Sequence, residues 1–520
     1  MKGAQALMRT LVGAGVDVCF ANPGTSEMHF VAALDDVPEM RGVLGLFEGV
    51  VTGAADGYGR MAGRPAATLL HLGPGLGNGI ANLHNARRAH TPVVNVVGDH
   101  AIGHRRYDAP LQSDIESLAR PVSIWYRSSA DLASLCHDAA DAVAAAMSAP
   151  LGVATLVVPA DLSWSEGAEI APPVSPVAPT TVNADTVEQA AKVLSTEDRT
   201  VILLGGAAGR ERGLIAASRA AQATGARLLT EPFPAVLERG AGVPPAECLA
   251  YLGEMVAEQL RDVRHLILVG ANAPVAAFAY PGKEGSLVPD GCEVHVLATA
   301  TDDGAAALET LADAVGAPDR GAVLQEATRP DRPTGALNPI TAAAAIGALL
   351  PEGAVVSDEG LTAGFFVAGA TAGAPRHHWL ALTGNAIGMG MPVATGAAVA
   401  CSGRRVLSLQ ADGSAMYTLQ ALWTQAREGL DVTTVVFNNG SYAILELELL
   451  RVGAEASGPR ARSMLELGDP SLDFVALARG MGVPATRATT AEEFTDQLEA
   501  ALSTPGPNLV EAMIGRGLGL

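Results

Sequence analysis

The sequence predicts an α/β protein of three doubly wound parallel-sheet domains, and three observations carry that expectation. Short β-branched and aliphatic runs such as TVILLGG, HLILVGA and VTTVVFNNG alternate with Ala-rich helical stretches throughout. Strand–helix alternation is the pattern of parallel sheets covered by helices on both faces. The chain has 520 residues, more than one compact core usually holds. Two Pro-rich stretches without apolar periodicity, APPVSPVAPTTVNAD (171–185) and ATRPDRPTGALNP (327–339), read as connectors. They set the expected segments at 1–170, 185–326 and 335–520.

Each segment repeats the strand-to-loop pattern. In the first, DVCFANPG reads as strand and turn, followed by a helix from about Ser26, with AATLLHLGPG and PVVNVVGD as further strands. In the middle, TVILLGG and HLILVGA end in Gly. The GGAAG at 205–209 does not match GxGxxG, so a nicotinamide site is not expected. In the third, GAVVSDEG, RRVLSLQADG and VTTVVFNNG repeat the motif. Ligands of such sheets bind at the carboxyl ends of strands, where these polar residues fall.

Composition narrows the function classes. A formal net charge of −21 argues against nucleic acid or anionic membrane as partner. The five cysteines form no CxxC pair, so neither a disulfide framework nor a zinc site is expected. The stretch Trp379–Gly403 is uncharged and long enough to span a membrane, but its Gly and Pro residues make it buried loop and helix rather than a membrane span. No secretory signal is evident at the amino terminus, so the expectation is a soluble cytoplasmic protein.

The run VVFNNGSYAIL (435–445) ends a buried strand in two amides and a Gly. Asp412 ends another strand in LSLQADGSAMYT, 27 residues earlier, and the interval reads as loop, helix (about Tyr417 to Glu428) and strand. One strand–helix–strand unit therefore brings Asp412 and Asn439 to the same sheet edge. A carboxylate, an amide oxygen and a main-chain carbonyl suit Mg²⁺, which shares oxygen ligands with phosphates. A helix amino end and Gly413 at the same place allow close approach of an anion.

ADG, a helix, then NNGSY resembles the motif of thiamin-diphosphate enzymes, with Ala411 where the family usually has Gly. The resemblance implies thiamin diphosphate and Mg²⁺ as cofactors, with Asp412, Asn439 and the backbone oxygen of Ser441 as metal ligands. It places Ala411, Gly413, Ser414 and Thr362 (in SDEGLTAG) at the diphosphate. Tyr442 and Ile444 follow on the cofactor side, and Ile444, Leu445, Glu446 and Glu448 on the substrate side, with the two glutamates facing solvent as the alternative, since acids are unusual in a pocket for an anionic 2-oxo acid. In TGNAIGMGMPVATG, Asn385 would accept a hydrogen bond from the aminopyrimidine through its backbone, and Ile387 would lie beneath the thiazolium. Asn385 is a second departure, since the family often has Gly there. The three segments correspond to pyrimidine-binding, central and diphosphate-binding domains.

Such a cofactor needs a carboxyl group hydrogen-bonded to its pyrimidine, working from an apolar pocket. Glu48, a single acid in GVLGLFEGVVTGAADGYGRMAG, fits that role, and burial should raise its pKa. FANPGTSEMHF resembles the active-site loop of benzoylformate decarboxylase, with Thr25 in place of its Ser, and LLHLGPGLGNGIANLHNA puts His71 at a catalytic position. PLQSDIESLARPVS instead resembles acetolactate synthases, with Gln112 in the matching place. The middle segment (EPFPAVL, GANAPVAAFAYPG) is similar to that of benzoylformate decarboxylase, without a positive sign of FAD. The family's second catalytic His is absent, because no His lies between His265 and His295.

The expected activity is decarboxylation of a 2-oxo acid, with or without coupling of the resulting enamine to a second carbonyl. In the family, active sites form between subunits, so a homodimer or homotetramer is expected, Glu48 of one subunit serving cofactor held by Asp412 of another. A flavin-dependent oxidase of the same superfamily and a weakly catalytic, cofactor-binding regulatory subunit are the alternatives. The presence of Glu48 argues against the second.

Overall fold

The computed structural model describes residues 1–196, 199–454 and 458–515. Its strands make three sheets dominated by parallel pairing. The first contains β1 (Val18–Asn22), β2 (Arg41–Leu44), β3 (Ala66–His71), β4 (Val93–Asp99), β5 (Trp125–Ser128) and β6 (Val153–Pro159), in the order β2-β1-β3-β4-β6-β5. The second contains β7 (Thr200–Leu204), β8 (Arg227–Thr230), β10 (Glu247–Cys248), β11 (His265–Val269) and β12 (Glu293–Ala298), in the order β10-β8-β7-β11-β12. The third contains β13 (Val355–Glu359), β14 (His377–Leu380), β15 (Val406–Ala411), β16 (Val432–Asn438), β17 (Ala485–Ala488) and β18 (Asn508–Met513). Its order is β17-β18-β16-β15-β13-β14-β9, and β9 (Leu237–Arg239), from the middle of the chain, adds to β14 as its one antiparallel strand.

The central strands β4, β6 and β16 are buried along their full length, which explains their unbroken β-branched runs. Strand order reverses between β1 and β3 in the first sheet, and between β13 and β15 in the third. The carboxyl ends at those reversals are where an open α/β sheet leaves a crevice.

The Gly-rich helix Glu48–Ala62 owes its composition to one contact. It packs on the helix Gly390–Ala400 so closely that a Cβ on Gly57 would lie 2.0 Å from the Val393 carbonyl oxygen, and one on Gly396 1.8 Å from that of Ala54. Each Gly costs about 1 kcal/mol in a helix interior, offset here by backbone-to-backbone packing of the first and third segments. The stretch Trp379–Gly403 is thus the end of β14, a loop and a buried helix, and among the described residues no helix is long and apolar enough to cross a membrane.

A fully buried ion pair locks the same junction. Arg60 bonds Asp56 through two nitrogens (2.6 and 2.8 Å), Thr91 donates to Asp56, and Arg60 also reaches the Ala381 carbonyl (2.8 Å) and Thr383 (3.0 Å). Asp56→Ala strands a buried guanidinium and should cost about 3–5 kcal/mol, read as a lowered denaturant midpoint. Replacing both partners by apolar residues of similar volume should cost less.

Candidate active site

Asp412 follows β15 and opens a single helical turn, Asp412–Ala415; the longer helix starts at Ala421 rather than near Tyr417. The delay has a local cause. The chain turns through 416–420 so that Thr418 can donate to the Gly388 carbonyl at 2.9 Å. Ala411 is tolerated because its backbone is extended, with φ −79° and ψ 150°. Gly413 is required, since a Cβ there would sit 2.3 Å from the Tyr442 ring.

The Asp412 carboxylate is buried and accepts backbone N–H groups from Gly413 (2.8 Å), Asn439 (3.1 Å) and Gly440 (2.7 Å). Burial pushes its pKa up, and these amides oppose the rise. Among the described residues no cationic side chain pairs with it. A buried carboxylate wrapped by the loop carrying Asn439 and Ser441, without a protein counter-charge, is a donor set fit for a hard cation.

The two amides at the end of β16 divide their work. Asn438 is buried and donates to Glu511 at 2.7 Å, so it ties β16 to β18. Asn439 turns its oxygen back to the Ser441 N–H at 2.9 Å, on the Asp412 side of the loop.

Across the reversal, β13 ends in Glu359, a residue sequence reasoning passed over. Its buried carboxylate caps the Gly390–Ala400 helix, accepting N–H groups from Gly388 (2.5 Å), Met389 (3.3 Å) and Gly390 (2.7 Å). Burial pushes its pKa up to about 7 against the pull of those donors. The cap fixes the loop that carries Asn385 and Ile387. Asn385 is exposed with φ +57°, a left-handed conformation that Gly or Asn adopts most readily. Ile387 is half-buried against the apolar cluster around Val51 and Met389. Thr362 is buried in the short helix Leu361–Gly364, just past Glu359, and Ser414 donates to the Ala411 carbonyl at 3.1 Å.

In the first segment Glu48 is the first residue of its helix, 8% exposed, and accepts from Asn78 at 3.0 Å. Gly75 lies against it: a Cβ there would sit 3.3 Å from Glu48 Oε1 and 3.4 Å from His71 Cβ. His71 ends β3, and its Nδ1 is 2.8 Å from Glu27 Oε2. Glu27 was also missed by sequence reasoning. It closes a 3₁₀ turn, Thr25–Glu27, that precedes the helix Met28–Ala33, so the expected helix start near Ser26 is split in two. The turn leaves Thr25 exposed. Burial raises the Glu27 pKa while His71 opposes the rise. Gly24 and Gly98 make the pair possible, because a Cβ on either would overlap His71 (2.3 Å) or Glu27 (1.8 Å). The Gln112 loop packs near His71 through Ser113 on Gly73, and Gln112 Oε1 is buried without a hydrogen-bond partner among the described residues.

Past the Asn439 loop, Tyr442 covers Gly413 and Ile444 is half-buried at the start of the helix Ala443–Arg451. Both glutamates on that helix have side-chain partners. Glu446 accepts from Ser441 at 2.6 Å, and Glu448 accepts from Tyr280 (2.7 Å) and Arg451 (2.8 Å), tying the helix to the middle segment.

Buried acids at strand ends, a metal-competent loop and a capped loop on facing helices define the class of a cofactor-dependent enzyme with its site at two sheet reversals. The comparisons agree. Residues 1–119 match the thiamine pyrophosphate enzyme N-terminal TPP binding domain, and residues 363–512 the corresponding C-terminal TPP binding domain. The chain is 58% identical, over 99% of its own length and 99% of the relative's, to a Mycobacterium tuberculosis protein provisionally named acetolactate synthase large subunit IlvX. It is 30% identical to the benzoylformate decarboxylase of Pseudomonas aeruginosa over 96% of each chain. The structure of the thiamine diphosphate-dependent 4-hydroxybenzoylformate decarboxylase of Rhodococcus jostii RHA1 superposes with a TM-score of 0.84 at 25% identity, covering 100% of both chains. The chain belongs to the thiamine pyrophosphate enzyme family.

Proposed function

We propose that this thiamin-diphosphate-dependent enzyme uses Mg²⁺ and decarboxylates a 2-oxo acid, releasing an aldehyde or coupling the fragment to a second carbonyl compound. The observation that carries the reading is Asp412, a buried carboxylate without a cationic partner among the described residues, enclosed by the loop of Asn439 and Ser441. Asp412, Asn439 and the Ser441 carbonyl would hold Mg²⁺. Ala411, Gly413, Ser414 and Thr362 would surround the diphosphate, with Tyr442 and Ile444 alongside. The Asn385 carbonyl and Ile387 would set the position of the rings, on a loop held by the Glu359 cap.

When bound, the cofactor supplies the electron sink that lets CO2 leave. The chain's residues do the rest. Glu48 holds and moves a proton at the pyrimidine nitrogen from a buried position. Glu27 engages His71 Nδ1, fixing the ring so that its Nε2 faces substrate as a proton donor or acceptor. Gln112, whose buried oxygen has no partner among the described residues, and Thr25, exposed on its turn, would contact the substrate.

In this reading the enzyme is a homodimer or homotetramer of cytoplasmic chains, Glu48 serving the cofactor of a neighbouring subunit. The domains are a pyrimidine-binding unit (1–170), a central unit (185–326) and a diphosphate-binding unit (335–520).

The test is to add thiamin diphosphate and Mg²⁺ and screen pyruvate, benzoylformate and branched 2-oxo acids. Cofactor-dependent CO2 release from at least one is expected, and product analysis separates aldehyde from coupled ketone. No release from any of them, with cofactor demonstrably bound, would overturn the reading.

A further inference from the structure

At the amino end of the middle sheet, opposite the carboxyl ends where ligands of such sheets bind, lies a second cluster of donors. His265 opens β11 and Glu293 opens β12; the parallel register sets them side by side, with His295 opposite Ile267. Residues two apart on a strand share a face, and so do registered neighbours, so all three side chains project to one side. His265 Nδ1 is 3.2 Å from His295 Nε2, and Glu293 Oε2 is 3.9 Å from each nitrogen.

The structure assigns to these three residues a site for one divalent ion of the zinc class, clasped between two adjacent strands, with solvent completing the coordination. Tetrahedral zinc with nitrogen ligands at about 2.0–2.1 Å puts neighbouring donor atoms about 3.3–3.4 Å apart, close to the spacing of the two imidazole nitrogens. The carboxylate is wider, but its side chain is 71% exposed and free to swing, whereas the two histidines are 14% and 26% exposed and held on rigid strands. Two imidazoles and one carboxylate favour Zn²⁺, Ni²⁺ or Co²⁺ over Mg²⁺, which prefers oxygen ligands. The site is thus chemically distinct from the one at Asp412. β12 is the edge strand of its sheet, with Val294 41% and Val296 52% exposed. A metal clasp at its first turn of pairing would fasten that edge to β11.

The experiment uses the full chain, chelator-stripped and then saturated with thiamin diphosphate and Mg²⁺, titrated calorimetrically with Zn²⁺ against a competing chelator. One tight equivalent that excess Mg²⁺ does not displace is expected, together with a raised thermal midpoint and unchanged turnover. Glu293→Gln should weaken that equivalent, and the double variant His265→Ala, His295→Ala should lose it. Both variants should match the parent's midpoint when zinc is absent. Absence of a saturable equivalent in the parent, or its retention in the double variant, for example through Cys248 or Cys292, overturns the assignment. Should the double variant not fold, Co²⁺ bound to the parent decides: a tetrahedral spectrum without thiolate charge transfer supports the site, and a thiolate band or no cobalt spectrum refutes it.

Discussion

Glu48→Gln is expected to lower turnover by about 10²- to 10⁴-fold while leaving fold and cofactor affinity nearly intact. Gln has the same shape, and its amide oxygen can still accept the hydrogen bond that Asn78 donates to the Glu48 side chain. The helix behind it is held by glycine contacts with the Gly390–Ala400 helix and by the Asp56–Arg60 pair, neither of which involves the carboxylate. What Gln cannot do is exchange a proton with the pyrimidine. The loss should therefore appear in kcat, and in exchange of the bound cofactor's C2 hydrogen followed by NMR, a readout that needs no substrate. Near parental exchange would remove Glu48 from its assigned role.

Asp412→Asn is expected to weaken Mg²⁺-dependent retention of thiamin diphosphate by about 100-fold or more, the loss of a charge-assisted contact of about 3 kcal/mol. Both carboxylate oxygens accept backbone N–H groups, from Gly413 on one side and from Asn439 and Gly440 on the other. An amide in either flip points its NH2 at one of those donors, so the loop should also lose about 1–3 kcal/mol of stability. Cofactor titration followed by fluorescence or calorimetry reads the affinity. The two inactive variants together test subunit sharing. If Glu48 of one chain serves cofactor on another, co-refolding Glu48→Gln with Asp412→Asn should restore about a quarter of the parental sites, those assembled from two intact halves. A site within one chain would restore none.

The three-sheet architecture and the Asp412–Asn439 unit were legible because both rest on local patterns, namely strand–helix alternation and polar residues at strand ends. The Gly-rich helix behind Glu48 could be anticipated, but not the reason for its glycines, because the facing helix lies more than 300 residues away in the chain. Glu27 and Glu359 escaped for the same reason. Each is an ordinary acid in sequence and acquires meaning only when a distant element packs on it: His71 in one case, the N–H groups of 388–390 in the other. The signals were present but weak. NPGTSE places an acid three residues beyond a Gly, and SDEG ends a strand in two adjacent acids. Whether Glu446 and Glu448 face substrate or solvent was open in the sequence, because their partners Ser441, Tyr280 and Arg451 become visible only in the fold. The start of β9 in the middle of the chain and its antiparallel place on the third sheet had no sequence signature at all.

The most direct measurement is the anomalous scattering of Mn²⁺ in crystals grown with thiamin diphosphate. One peak is expected, bonded by the Asp412 carboxylate, the Asn439 side-chain oxygen and the Ser441 carbonyl and bridging to the diphosphate, with a Glu48 carboxylate against the pyrimidine nitrogen. A bound cofactor whose metal touches none of those three oxygens, or whose pyrimidine lies away from every Glu48, would contradict that expectation.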